Sequence, residues 1–106
     1  MVIKWTVEAE ENIDKICRFY EERSLKVAKE IFAEIHTSVK RLTAFPKMAA
    51  IEPILSYRPE NFRSLLVRDL FKVVYFLNES DQEIVIVTVF DCRQNPSKLK
   101  NIKSKK

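Results

Sequence analysis

The chain has 106 residues, 46% hydrophobic and 32% charged, which describes one soluble globular domain with a modest core rather than a disordered polymer. Glycine is absent, and this excludes the glycine-dependent phosphate loops and with them the usual nucleotide-hydrolysing and dinucleotide-dependent enzymes. The net charge of +4 is unevenly spread: Met1 to Cys92 carries 13 basic and 15 acidic residues, whereas Arg93 onward carries six basic residues and no acid. Such a tail suits a polyanion or an acidic partner, and reads equally as a solvated terminus.

No apolar run approaches the roughly 18 residues of a membrane span. The opening MVIKWTVEAEE lacks the apolar core of a secretory signal, so a cytoplasmic location is expected, with no membrane partner. Cys17 and Cys92 have neither metal-type spacing nor a disulfide framework. Asn78-Glu79-Ser80 is a sequon in form only and reads as a turn.

In chain order, Val2 to Trp5 alternates weakly and suits a short strand at a sheet edge. Thr6 is placed to cap a helix whose first turns carry Glu8, Glu10 and Glu11, the favourable sign for that end of the dipole. Ala9, Ile13, Ile16, Cys17 and Tyr20 form its apolar stripe. Ser24 caps a second helix with a stripe through Ala28, Ile31, Phe32, Ile35, Val39 and Leu42, ending near Phe45 because Pro46 disfavours helical backbone in the residue before it. The short break makes the two helices an antiparallel pair.

Lys47 to Asn61, with Pro53 and Pro59, reads as a connecting loop. Three strands then follow: Phe62 to Val67, Phe71 to Asn78 and Ile84 to Phe90, rich in β-branched and aromatic residues and separated by tight turns. The last is almost wholly apolar, as a central strand covered on both faces would be. The expected architecture is α+β, in the order β-α-α-β-β-β. A helical hairpin packs on one face of a small twisted, largely antiparallel sheet. The domain is expected to span residues 1–99, with a basic tail over 100–106.

Arg63, Lys72 and Arg93 punctuate the strand region, and neighbouring strands about 4.8 Å apart can bring distant side chains together on one face. A cationic site on a rigid sheet is therefore expected there.

Several stretches, in order, carry a resemblance. They are Ile3-Lys4-Trp5-Thr6 with Glu8-Ala9-Glu10-Glu11, Arg41-Leu42-Thr43-Ala44-Phe45-Pro46, Phe62-Arg63-Ser64-Leu65-Leu66-Val67, Phe71-Lys72-Val73-Val74-Tyr75, and Val89-Phe90-Asp91-Cys92-Arg93-Gln94-Asn95-Pro96. Over Ile3 to Leu99 the chain resembles the RelE/ParE superfamily of toxins from bacterial type II toxin–antitoxin modules. The resemblance implies a small toxin held inactive by a cognate antitoxin. RelE-like members cut mRNA on the ribosome; ParE-like members poison DNA gyrase. Growth arrest by ribosome-dependent mRNA cleavage is the expected function, a gyrase poison without nuclease activity the alternative, and a non-toxic nucleic-acid or protein-binding domain the third reading.

If the chain is a nuclease, the resemblance implies that the RNA 2′-hydroxyl attacks the adjacent phosphate without metal or cofactor. The protein would stabilise charge and move protons. Arg63, Lys72 and Arg93 are then the expected phosphate-binding catalytic residues, Asp91 the group available for proton transfer, and Lys98 and Lys100 nucleic-acid contacts. Asp91 stands where many nucleolytic relatives have histidine, Leu65 where some have lysine, and no tyrosine follows Tyr75. Asp91 also reads as a salt-bridge partner of Arg93 or Lys72. His36 reads as a helix-surface residue, Tyr75 as sheet packing, and Cys92 lacks a neighbouring base.

Overall fold

The structure, a computed structural model, describes residues 1–103. The order is β1 (Val2–Trp5), α1 (Val7–Glu21), α2 (Leu25–Lys40), β2 (Ala50–Ile51), β3 (Arg63–Val67), β4 (Phe71–Asn78) and β5 (Glu83–Asp91). Short 3-10 turns lie at Arg41–Thr43, Pro53–Leu55 and Pro96–Asn101. The α+β architecture is as expected, with one addition. The proline-containing connection holds the two-residue strand β2, paired to β3, and a 3-10 turn that starts on Pro53.

Both helix caps form where hydroxyl residues precede the apolar stripes. Thr6 Oγ1 accepts from Ala9 N–H and donates to the Val87 carbonyl, each at 3.2 Å, so one buried hydroxyl starts α1 and ties it to β5. Ser24 accepts from Val27 N–H at 3.2 Å and starts α2. Caps of this kind contribute about 1 kcal/mol each. The second helix ends at Lys40, earlier than Phe45, and a 3-10 turn carries the chain toward Pro46.

The sheet order is β1-β5-β4-β3-β2. β1 runs parallel to β5; the other pairings are antiparallel. On the helical face, Ile13, Ile31, Ile35, Val39 and Leu42 pack on Phe71, Val73, Tyr75, Ile84 and Ile86. Full burial of each such aliphatic side chain is worth about 1.5–3 kcal/mol. The opposite face carries Val74, Val85, Val87 and Phe90 beneath Leu55, Phe62, Leu99 and Ile102.

The packed chain thus runs to Ile102, past the expected boundary at Leu99. Arg58 holds this end down: its guanidinium donates to the Ile102 carbonyl, pairs with Glu60 at 2.8 Å and lies 4.9 Å from the Phe62 ring centre. Of the expected basic tail, residues 104–106 lie outside the described residues.

Without glycine, the turns take left-handed backbone from other residues. Arg68 and Asp69 (φ 56° and 53°) turn β3 into β4, and Gln82 (φ 53°) precedes β5. Arg68 is also tethered to Glu34 on α2 at 2.7 Å.

Candidate functional site

Pairing register decides where the three basic side chains go. Val67 lies opposite Phe71, so the hairpin pairs Arg63 with Tyr75 and Leu66 with Lys72. Directly opposed residues share a face and successive residues alternate. Arg63 therefore falls on the helical face with Tyr75, and Lys72 on the opposite face with Leu66 and Phe90. The expected convergence of Arg63, Lys72 and Arg93 on one face does not occur. A hairpin loop longer or shorter by one residue would have put Arg63 and Lys72 on the same side.

Each of the three is also engaged within the chain. Arg63 Nη1 donates to the carbonyls of Ala49 at 2.7 Å and Lys47 at 3.4 Å. Beside it, the Tyr75 hydroxyl donates to the Pro46 carbonyl at 2.7 Å. Together they hold the loop after α2 against the sheet. Tyr75 is fully buried with its hydroxyl held by that bond, and burial pushes the phenol up.

Lys72 Nζ lies 2.7 Å from Oε1 of Glu52, whose side chain is 1% exposed. Glu52 also accepts from Ser64 Oγ at 2.8 Å and Ile54 N–H at 3.0 Å. Burial pushes the Glu52 carboxyl up. The hydrogen bonds from Lys72, Ile54 and Ser64 outweigh it and hold the group below its ordinary range.

Arg93 follows β5 and folds back on Asp91. Its Nε donates to Oδ1 at 3.0 Å and its Nη2 to Oδ2 at 2.6 Å, and Nη2 also reaches the Tyr20 hydroxyl at 3.2 Å. The hydrogen bond from Arg93 holds Asp91 below the usual carboxylate range, and Arg93 is raised in turn. An ionised carboxylate with both oxygens bonded to a guanidinium is a weak proton acceptor. The reading of Asp91 as a partner of Arg93 describes the contacts observed.

The Arg93–Asp91 pair borders a groove of about 300 Å³ between α1 and the end of β5, with Asn12, Lys15, Phe19 and Tyr20 on its walls. In the sequence Tyr20 belongs to the apolar stripe of α1, and no pattern marks Asn12 or Phe19. Glu52 had one legible signal, a lone carboxylate between Ile51 and Pro53 that caps the following turn.

The remaining candidates lie elsewhere. Lys98 and Lys100 are exposed on the 3-10 turn Pro96–Asn101. His36 Nδ1 donates to the Phe32 carbonyl at 2.9 Å, and its ring contacts those of Trp5 and Phe32 in tilted arrangements. Burial raises both Cys17 and Cys92, the reverse of an activated thiol. Among the described residues, no three His, Cys, Asp or Glu side chains gather as a metal-binding group. Among the same residues, no helix is long and apolar enough to cross a membrane.

No curated protein matches the chain. Among solved structures, it is similar to a protein of the chromosomal ParDE TA system from P. aeruginosa, with 25% identity and a TM-score of 0.70. That match covers 86% of this chain and 95% of the other. The sequence pattern of the family described as "ParE toxin of type II toxin-antitoxin system, parDE" matches residues 3–96. With the order of elements and the span of that match in hand, the chain belongs to the ParE toxin family of type II toxin–antitoxin systems.

Proposed function

We propose that this toxin arrests growth by binding a protein target, DNA gyrase, and not by cutting mRNA. The observation that carries the reading is the dispersal of the basic groups. Arg63 and Lys72 lie on opposite sheet faces, and Arg93 is neutralised by Asp91. Cleavage through the 2′-hydroxyl needs several cations on one phosphate together with groups that move two protons. Arg63 and Lys72 instead act as struts of the fold, and Asp91 orients Arg93. Cytoplasmic action, with the cognate antitoxin as the inhibitory partner, follows from the same reading.

The nuclease reading assigns Arg63, Lys72 and Arg93 to the phosphate and Asp91 to proton transfer, with Lys98 and Lys100 on the RNA strand. Two assays with purified protein separate the alternatives. A gyrase supercoiling reaction should lose activity as toxin is added, and regain it with antitoxin. Messenger RNA 5′ ends in a translation reaction should stay unchanged. New 5′ ends that vanish in Arg93→Ala, with supercoiling unaffected, would replace this proposal with the nuclease.

A further inference from the structure

Trp5 on β1, Phe32 and His36 on α2, and Glu10, Ile13 and Asp14 on α1 line a recess of about 260 Å³. The His36 ring centre lies 5.1 Å from that of Trp5 and 4.2 Å from that of Phe32, each pair tilted by 33°. The three rings form a shallow aromatic wall beside the buried Ile13, open to solvent at Phe32, which is 49% exposed. Because Nδ1 of His36 donates to the Phe32 carbonyl, the neutral imidazole offers Nε2 as an acceptor.

The rest of the recess is acidic. Glu10 and Asp14 stand four residues apart on α1, the spacing that sets two side chains on adjacent turns of one helix face, where like charges repel. Both are exposed, and among the described residues neither carboxylate makes a hydrogen bond or an ion pair. No lysine or arginine lines the recess. Val7–Glu21 as a whole carries five carboxylates against two cations, a net −3, a field that draws cations and repels phosphates.

Aromatic faces attract cations through the ring quadrupole, and unpaired carboxylates accept charge-assisted hydrogen bonds. A quaternary ammonium is held best by a cage of rings on several sides. A one-sided wall instead suits a flat cation that stacks on it and turns its N–H fork to the carboxylates. We infer that this recess receives the guanidinium of an arginine side chain presented by a partner protein. The guanidinium stacks on the wall of Trp5 and Phe32 and bonds to Glu10 and Asp14. Free arginine fits less well, because its own carboxylate enters the negative field of α1. The inference goes beyond the choice of cellular target and stands or falls separately from it.

Trp5 is the chain's single tryptophan, so its emission reports this recess alone. Adding the peptide acetyl-Ala-Arg-Ala-amide to the purified toxin should change that emission saturably, with a Kd of about 1–10 mM for one isolated side chain. The lysine counterpart, tetramethylammonium and free arginine should each bind at least threefold more weakly. Glu10→Gln combined with Asp14→Asn should weaken the arginine peptide at least tenfold, and Phe32→Ala at least threefold. Glu21→Gln, on the same helix outside the recess, should alter it less than twofold. An emission change that fails to saturate by about 50 mM, several times the expected Kd, would overturn the inference. So would undiminished binding by the Glu10→Gln, Asp14→Asn variant, equal affinity for the lysine peptide, or tighter binding of tetramethylammonium. Equal affinity for free arginine would overturn the assignment to a protein partner. The ligand comparisons are made on the unaltered protein, so misfolding of a variant cannot mimic failure.

Discussion

The ammonium of Lys72 donates to a carboxylate, that of Glu52, which the fold has almost wholly removed from water. The pair joins the outer face of β4 to the turn that follows β2, where Ser64 and Ile54 complete the bonding of Glu52. Removing one partner strands a buried charge, which costs more than the pair itself contributes. Lys72→Met should therefore destabilise the fold by about 3 kcal/mol, the lower end of the range for buried pairs because Lys72 keeps some contact with solvent. Adding Glu52→Gln should recover most of the loss. Urea unfolding of the two single variants and the double variant checks this. Additive losses would show that the two side chains do not act as a pair.

The same carboxylate sets an acid limit. The pKa values of Glu52 and Asp91 are depressed in the folded state, so the unfolded chain binds protons first as pH falls. Their stabilisation is complete above the ordinary carboxyl range, near pH 5, and is lost as pH drops through their folded-state values. Glu52→Gln should flatten the dependence of stability on pH below about 5 and leave the slope between pH 6 and 8 unchanged. Thermal melts across that range read it directly.

Arg63 tests structure against catalysis. Its guanidinium holds two carbonyls of the loop after α2, and charge-assisted bonds of this kind contribute about 1.5–3 kcal/mol each when buried. Half-buried as it is, Arg63→Ala should lower stability by about 2 kcal/mol. It should also speed amide exchange in Met48–Ile51 while leaving exchange in α1 unchanged. Lysine at this position should rescue poorly, since one ammonium cannot follow the guanidinium's fixed fork. Unaltered exchange in that loop would remove Arg63 from its structural role.

Gln82 carries left-handed backbone in a chain with no glycine. Gln82→Gly should raise stability by about 0.5–1 kcal/mol, and Gln82→Val, whose branched Cβ resists that conformation, should lower it by about 1 kcal/mol or more. Melting temperatures of the two variants should move in opposite directions, by several degrees for a domain of this size.

Much of the fold is legible in residue order because it depends on local chemistry. Thr6 and Ser24 are hydroxyls directly before apolar periodicity, and both cap helices. The alternation of Phe71, Val73 and Tyr75 with Lys72, Val74 and Phe76 marks a strand with two faces, and the unbroken apolar run of β5 marks one covered twice. The family resemblance, too, is carried by residues in order. The two-residue strand β2 was not legible, since Ala50 and Ile51 are strand only because β3 lies beside them.

What the tertiary structure alone decided is which side chains meet. Alternation within a strand says that Lys72 and Tyr75 face opposite ways, but the face Arg63 shares depends on how many residues the β3–β4 turn contains. A change of one residue there inverts the answer. Asp91 beside Arg93 could be read from adjacency. The burial of Glu52 under Lys72, and the meeting of Tyr20 with Arg93 across 73 residues, arise only when α1 and the outer turns close on the sheet. Periodicity is a property of the local chain and survives in the sequence, whereas register and packing are relations between distant segments and are set when the chain folds.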